Sequence, residues 1–237
     1  MNNPGQLHDA RCYLAAVPMQ EAVRDRLAVP KAPRQWLEEA SLRGFPLAVI
    51  DFEASALTLD SYPIEVGIAI MSVPNGEIEN RSSLIRPDPR WDLDGQWDPD
   101  AAKIHGIRRW DLREGLPAAA VLQKLNARIP HGVAVWCDGG HYDEHWLNTL
   151  ATTASISPSF RLADLGSALH DAQLRARYLG EVSCKIRPHR AGEDAAQIIE
   201  AIARAIVKND RLDETIPRIL NVNVKFKDKI CAFLSGR

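Results

Sequence analysis

Close cysteine pairs, long apolar runs and an excess of positive charge are all missing from this chain of 237 residues. The four cysteines are scattered at positions 12, 137, 184 and 231, so no pair has the spacing of a zinc or redox motif. No stretch approaches the roughly 18 apolar residues of a membrane-spanning helix, and the first residues lack the features of a secretion signal. We therefore expect a protein of the reduced cytoplasm without a membrane partner.

The charge balance restricts the ways in which this protein could act on nucleic acid. The formal net charge is −2 and the isoelectric point is about 6.4. A protein that only coats nucleic acid is usually basic, because neutralising phosphates supplies most of its affinity. An enzyme that holds one strand end over metal ions can function with local positive charge. The charge therefore disfavours a general nucleic-acid binder and leaves an end-processing enzyme open.

The first of three acidic patches follows an apolar run, residues 45–50, that has strand character. Side chains two apart on a strand point the same way, so Asp51 and Glu53 are expected to share one face while Phe52 enters the core. Two adjacent carboxylates repel each other unless a cation lies between them, and hard divalent ions prefer oxygen ligands. This patch therefore predicts a metal site.

Two further patches complete the pattern. Asp143 follows Tyr142, and His189 precedes Asp194 by five residues at the start of an apparent helix. The histidine is a candidate proton acceptor, because a neutral imidazole has its pKa near working pH. Asp138, at the end of a strand, competes with Asp143 as the second acid.

Apolar alternation and helical periodicity predict an α/β domain with a mixed central sheet. Strands are expected at about residues 47–52, 64–73, 78–85 and 132–137, with a hairpin turn at 74–76. Helices are expected at about 116–129, 142–152, 163–178 and 195–207, and residues 87–115 as a loop region. Residues 1–45 are expected to be an extension, with a short helix at 35–43, packed on a domain at 46–208, and residues 209–237 a tail.

The ordered set Asp51-x-Glu53, Asp143 and His189-x4-Asp194 resembles the three motifs of the DEDDh family of 3′–5′ exonucleases, in the RNase T and DNA-polymerase-proofreading superfamily. The resemblance covers about residues 46–208, which would be the exonuclease domain. It implies a ribonuclease H-like α/β fold, with a mixed central β-sheet flanked by helices. Further positions that resemble the family are Leu57, residues 62–67, residues 104–107 and Tyr142.

The resemblance also implies roles for these residues. Two divalent cations, Mg2+ or Mn2+, would be bound, with Asp51 bridging both. Glu53 and Asp194 would complete the site of one ion, and Asp143 would act on the other. His189 would take the proton from the attacking water. The implied partner is the 3′ end of single-stranded nucleic acid, either RNA or DNA.

The expected substrate-binding residues are Leu57, His105 and Tyr142. For His105 the alternative, that its side chain orders the loop, is nearly as well supported. Ala56 stands where the family often has glycine. Glu65 is expected to be structural. Basic residues that could line a phosphate path are Arg108, Arg109, Lys185, Arg187 and Arg190, and tryptophans that could stack on bases are Trp91, Trp97 and Trp110.

Two other functions stay open at this point. One is a catalytically inactive nucleic-acid-binding or scaffold protein on the same fold, which retention of all four acids and His189 disfavours. The other is a metal-dependent hydrolase of small nucleotide phosphodiesters, which release of mononucleotides from an oligomer would distinguish. The oligomeric state is also open, with a homodimer among the alternatives.

Overall fold

The computed structural model describes residues 46–73, 76–169, 171–185 and 187–207. The helix expected at 35–43, the tail at 209–237 and the first two residues of the turn at 74–76 lie outside these ranges. None of the helices in the described ranges has both the length and the apolar character that a bilayer crossing requires.

Five strands form one mixed sheet in the order β3-β2-β1-β4-β5. Neighbouring strands are antiparallel between β1 and β2 and between β2 and β3, and parallel between β1 and β4 and between β4 and β5. The strands are β1 Leu47–Ala54, β2 Pro63–Met71, β3 Ile78–Leu84, β4 Ala134–Cys137 and β5 Arg161–Asp164.

Helices cover both faces of the sheet. Apolar residues of α2 and α3 pack on one face, and those of α5 and α6 pack on the other. This layered α/β arrangement confirms the predicted fold class. The helices are α1 Pro99–His105, α2 Ala118–Arg128, α3 His141–Ala154, α4 Leu165–Ala168, α5 Ala172–Ser183 and α6 Ala191–Val207, with a 3-10 turn at Asp111–Glu114.

The alternation along β1 divides its residues between the two faces. Ile50 and Phe52 lie in the core beneath α2 and α3, whereas Val49 lies in the core beneath α6. Because successive side chains point to opposite faces, Asp51 and Glu53 continue the face of Val49. The strand thus directs both carboxylates towards α6.

Strand β2 brings α6 close to the sheet. Gly67 pairs with Asp51 across the two strands. A Cβ atom added to Gly67 would lie 2.1 Å from the backbone of Ala191, the first residue of α6. Only glycine leaves room for this approach, which places the first turn of α6 directly over the end of β1.

The prediction of a single helix at 163–178 is wrong. The chain forms β5 there, then two helices. Leu162 and Ala163 are buried in β5, which pairs with β4, so tertiary packing overrides the local pattern. Asp164 caps α4 by accepting from the backbone N–H of Ser167 at 2.8 Å, and Asp171 caps α5 by accepting from that of Leu174 at 2.6 Å.

Residues 87–115, expected as a loop region, contain α1 and the 3-10 turn. The sequence carried the signals for α1. Asp98 caps the helix by accepting from the N–H of Asp100 at 2.8 Å, Pro99 is the first helical residue, and Gly106 ends the helix with φ of 68°. These are the usual start and stop residues of a helix.

Candidate metal centre

Three carboxylates meet where β1 ends under α6. Ligand oxygens of Asp51, Glu53 and Asp194 all lie within 4.8 Å of one another. Asp51 and Asp194 are buried and Glu53 is half-buried. Asp51 and Glu53 lie on one face because side chains two residues apart on β1 point the same way. Asp194 joins them because α6 packs closely over Gly67.

Burial makes this cluster electrostatically unfavourable without a cation. Burial, followed by the charge of Asp143, raises the pKa of Asp51 well above its usual range. Burial, followed by the charge of Asp194, raises the pKa of Glu53 to about 8. Within the described part of the chain, Asp194 Oδ1 is buried and has no hydrogen-bond partner. Oxygen-only donors, mutual repulsion and an unpaired buried oxygen together fit a hard divalent cation.

Asp143 is buried in the first turn of α3, next to this group but not within it. Its Oδ2 accepts from the backbone N–H of Gly139 at 2.9 Å, and the Cys137 thiol also donates to it. Burial and then the charge of Asp138 raise the pKa of Asp143 to about 8. Asp143 contributes the largest charge effect on Asp51, so the two carboxylates are close neighbours.

Asp138, the competing acid, follows β4 and forms an ion pair with Arg187. Its charge raises the pKa of both Asp51 and Asp143 after the effect of burial, so it lies beside the same cluster. The difference from Asp143 is that Asp138 already has a cationic partner.

His189 is exposed and has a φ of 53°, a left-handed conformation that is uncommon for residues other than glycine. The next residue holds it in place, because Arg190 donates to both carboxylate oxygens of Glu65 at 2.9 and 2.7 Å. The Ala191 N–H also donates to Glu65, at 3.1 Å. Burial raises the pKa of Asp194, and the charge of His189 partly offsets that effect, so the imidazole lies near the cluster.

The expected substrate-binding residues lie in two places. Leu57 is 63% exposed, and its carbonyl accepts from the Tyr142 hydroxyl at 3.4 Å. The Tyr142 ring stacks on Trp146 with centroids 5.7 Å apart. His105 is buried instead, where its Nδ1 accepts from the Ile107 N–H at 3.0 Å and orders the turn after α1. The structure thus brings Leu57 and Tyr142 together. Contact of His105 with the bound nucleic acid stays a prediction.

Each basic residue considered for a phosphate path has an acidic partner. The pairs are Arg108 with Asp111, Arg109 with Asp94, Lys185 with Glu200, Arg187 with Asp138 and Arg190 with Glu65. Of the tryptophans, Trp91 stacks on Tyr62 and Trp97 lies against His105, whereas Trp110 is exposed under Arg113. Tyr178, which no sequence motif indicated, is buried in the same core layer as Val49, the residue two before Asp51 on β1.

A solved structure described as a full-length 3′-exonuclease matches this chain with a TM-score of 0.55 at 15% identity, over 69% of this chain and 60% of that one. Cell-death related nuclease 4 matches with a TM-score of 0.44 at 13% identity, over 70% of this chain and 64% of that one. The RNase domain of the yeast Pop2 protein matches with a TM-score of 0.45 at 11% identity, over 82% and 90%. No model of a known protein family and no curated protein sequence matches.

The first likeness establishes the fold as ribonuclease H-like, which agrees with the mixed sheet and its flanking helices. This chain spans less than two thirds of the length of that exonuclease. The molecule is therefore an α/β protein of ribonuclease H-like fold, with a group of carboxylates at the end of β1 that is suited to divalent cations.

Proposed function

We propose that this protein is a metal-dependent 3′–5′ exonuclease that removes nucleotides from single-stranded DNA or RNA. The observation that carries the proposal is the meeting of Asp51, Glu53 and Asp194 within 4.8 Å on a ribonuclease H-like sheet. A buried, self-repelling group of this kind is costly for the fold, and binding a cation offsets that cost. The likeness in fold to a 3′-exonuclease supports the same assignment.

The acidic residues would divide between two cations, Mg2+ or Mn2+. Asp51, Glu53 and Asp194 would hold one ion, and Asp143, together with Asp51, would hold the other. When bound, the ions would supply Lewis-acid stabilisation of the negative charge that develops on the phosphoryl oxygens. Carboxylates bind cations when ionised, so the raised pKa values of Glu53 and Asp143 imply that protons leave as the metal binds.

His189 would act as the general base. One imidazole nitrogen would accept a proton from the water that attacks the terminal phosphorus, as a new P–O bond forms. The bond from phosphorus to the 3′ oxygen of the preceding nucleotide would break, and that oxygen would take a proton from solvent. The products are a nucleoside 5′-monophosphate and a strand shortened by one nucleotide. The Arg190–Glu65 pair holds the backbone next to His189 in position.

Leu57 and Tyr142 would position the last base of the strand. The exposed leucine and the tyrosine, whose hydroxyl donates to the leucine carbonyl, lie together, and Tyr142 directly precedes Asp143. Stacking of bases on aromatic rings depends little on sequence, because every base has a π-face. This supports a substrate defined by its free end instead of by its sequence.

Digestion of end-labelled single-stranded RNA and DNA, with Mg2+, Mn2+ or EDTA, tests this function. We expect release of mononucleotides that stops in EDTA. His189→Ala should lower turnover roughly 10²–10⁴-fold, the usual share of general base catalysis, with Mn2+ affinity retained. Asp194→Asn should weaken Mn2+ binding and turnover together. His131→Ala, at an exposed turn, is the matched control. Near-normal turnover of His189→Ala at saturating metal would contradict the assigned base.

A further inference from the structure

Arg187 lies at the metal centre without being a candidate ligand. It forms an ion pair with Asp138, the residue that follows β4, through one terminal N–H group. A guanidinium carries five N–H donors in a planar fork, so donors remain after this bond. The Arg187 side chain is 37% exposed, so a ligand can reach it.

The charge of Arg187 reaches the whole carboxylate cluster. Burial raises the pKa of Glu53, Asp143 and Asp194, and the positive charge of Arg187 opposes the rise in all three. Asp51 in turn stabilises the charged form of Arg187. The strand pairing gives the position independently, because Val49 of β1 pairs with Trp136 of β4, which places Asp138 and its arginine partner beside the end of β1 that carries Asp51. The N–H of Gly139, next to Asp138, donates to Asp143 at 2.9 Å.

Tyr178 of α5 brings a second donor to the same place. Tyr178 is only 5% exposed, and its Oη has no hydrogen-bond partner within the described ranges. Tyr178 is buried in the same layer of the core as Val49 and Trp136, which stand two residues before Asp51 and Asp138 on their strands. Burial raises the pKa of this phenol, the charges of Asp138 and Asp51 raise it further, and Arg187 opposes them. A buried hydroxyl without a partner costs stability, unless a ligand satisfies it.

We propose that Arg187 and Tyr178 form a phosphate subsite beside the carboxylate cluster, with Asp138 holding the guanidinium in place. The ligand would be a phosphate group of the nucleic-acid substrate or of the mononucleotide product, and the inference rests on the proposed function. A planar guanidinium matches the geometry of phosphate oxygens, and a phenol O–H can donate to a third oxygen. Such a subsite offsets the repulsion that the carboxylates exert on an anionic substrate.

The simpler role for Arg187 is to neutralise Asp138 and hold the carboxylates in position. The two roles differ in their effect on metal binding. A residue that positions the ligands is needed for the cation to bind, so its removal weakens Mn2+ affinity. A guanidinium that binds phosphate repels Mn2+ and attracts phosphate. Its removal therefore leaves Mn2+ affinity unchanged or tighter and weakens phosphate affinity.

Calorimetric titration of the full chain with Mn2+, and then with adenosine 5′-monophosphate at saturating Mn2+, separates these roles. Arg187→Met should weaken nucleotide binding about 10- to 100-fold, the range for hydrogen bonds to a charged group, without loss of Mn2+ affinity. Arg187→Lys keeps the charge and the pairing with Asp138 and serves as the test variant if Arg187→Met folds poorly. It should weaken nucleotide binding less than Arg187→Met does. Arg128→Met, which removes an ion pair with Glu79 on another part of the fold, is the matched control.

Tyr178→Phe removes only the hydroxyl. It should weaken nucleotide binding several-fold while thermal stability stays the same or rises, because the lost oxygen had no partner within the described ranges. Nucleotide affinity equal to wild type in both variants, or a parallel loss of Mn2+ affinity in Arg187→Met, would overturn the subsite. So would a wild-type protein that binds Mn2+ and digests strands but binds no nucleotide. Absence of Mn2+ binding and digestion would instead defeat the proposed function.

Discussion

The pair formed by Glu65 and Arg190 makes an asymmetric prediction about stability. Glu65 is 1% exposed in its side chain, whereas Arg190 is 44% exposed. Arg190→Met would leave a carboxylate in the interior with one hydrogen-bond donor among the described residues, the Ala191 N–H. Glu65→Met would leave a guanidinium that water can reach. Removing the arginine should therefore cost more than removing the glutamate.

The magnitudes follow from what each variant leaves behind. Arg190→Met should lower the free energy of unfolding by about 3–5 kcal/mol, the cost of an uncompensated buried charge. Glu65→Met should cost about 1.5–3 kcal/mol, the net value of hydrogen bonds to a charged group, and burial of the methionine reduces this. At about 2–4 °C per kcal/mol for a domain of about 150–250 residues, Arg190→Met should lower the melting temperature by about 6–20 °C.

Thermal and urea unfolding measure both effects. Arg204→Met is the control, since Arg204 is 53% exposed and pairs with Glu200, and such surface pairs contribute about 0–1 kcal/mol. An equal cost for Glu65→Met and Arg190→Met, or a cost of Arg190→Met no larger than that of Arg204→Met, would refute the reasoning.

Two further predictions concern pH and packing. Because the pKa of Glu53 and that of Asp143 are about 8, the metal-free folded protein binds protons that the unfolded chain releases. Its unfolding free energy should therefore fall as pH rises from about 5 to about 8, Mn2+ should reverse the loss, and Glu53→Gln should flatten the slope in thermal unfolding with EDTA. Gly67→Ala forces a Cβ against the backbone of Ala191 and should cost about 1–3 kcal/mol or more and weaken Mn2+ binding. Gly180→Ala, in open space on α5, should stabilise by about 0.5–1 kcal/mol, and equal effects of the two substitutions would contradict the packing argument.

The sequence predicts best where the pattern is local and regular. The apolar run before Asp51 indicated β1, and the alternation of side chains placed Asp51 and Glu53 on one face. The apolar residues at helical spacing from Ile198 to Ile206 indicated α6, and the acidic start of that helix placed Asp194 beside them. These features depend on neighbours a few residues apart, which a single sequence displays.

The features that could not be predicted from the sequence depend on contacts between segments that are distant in the chain. Strand β5 has only four residues, and its pairing with β4 decides its conformation. Asp138 and Arg187 are 49 residues apart in the chain. Tyr178 occupies an ordinary helical position. It comes near Asp138 and Arg187 only because α5 packs against the sheet. No local spacing marks these residues as neighbours.

Digestion of single strands blocked at one end tests the central claim most directly. The wild-type protein, supplied with Mg2+ or Mn2+, should degrade a strand blocked at its 5′ end as fast as an unblocked strand. It should leave a strand blocked at its 3′ end intact. Equal degradation of both blocked strands, or cuts inside them, would contradict a 3′–5′ exonuclease whose metals are held by Asp51, Glu53, Asp143 and Asp194.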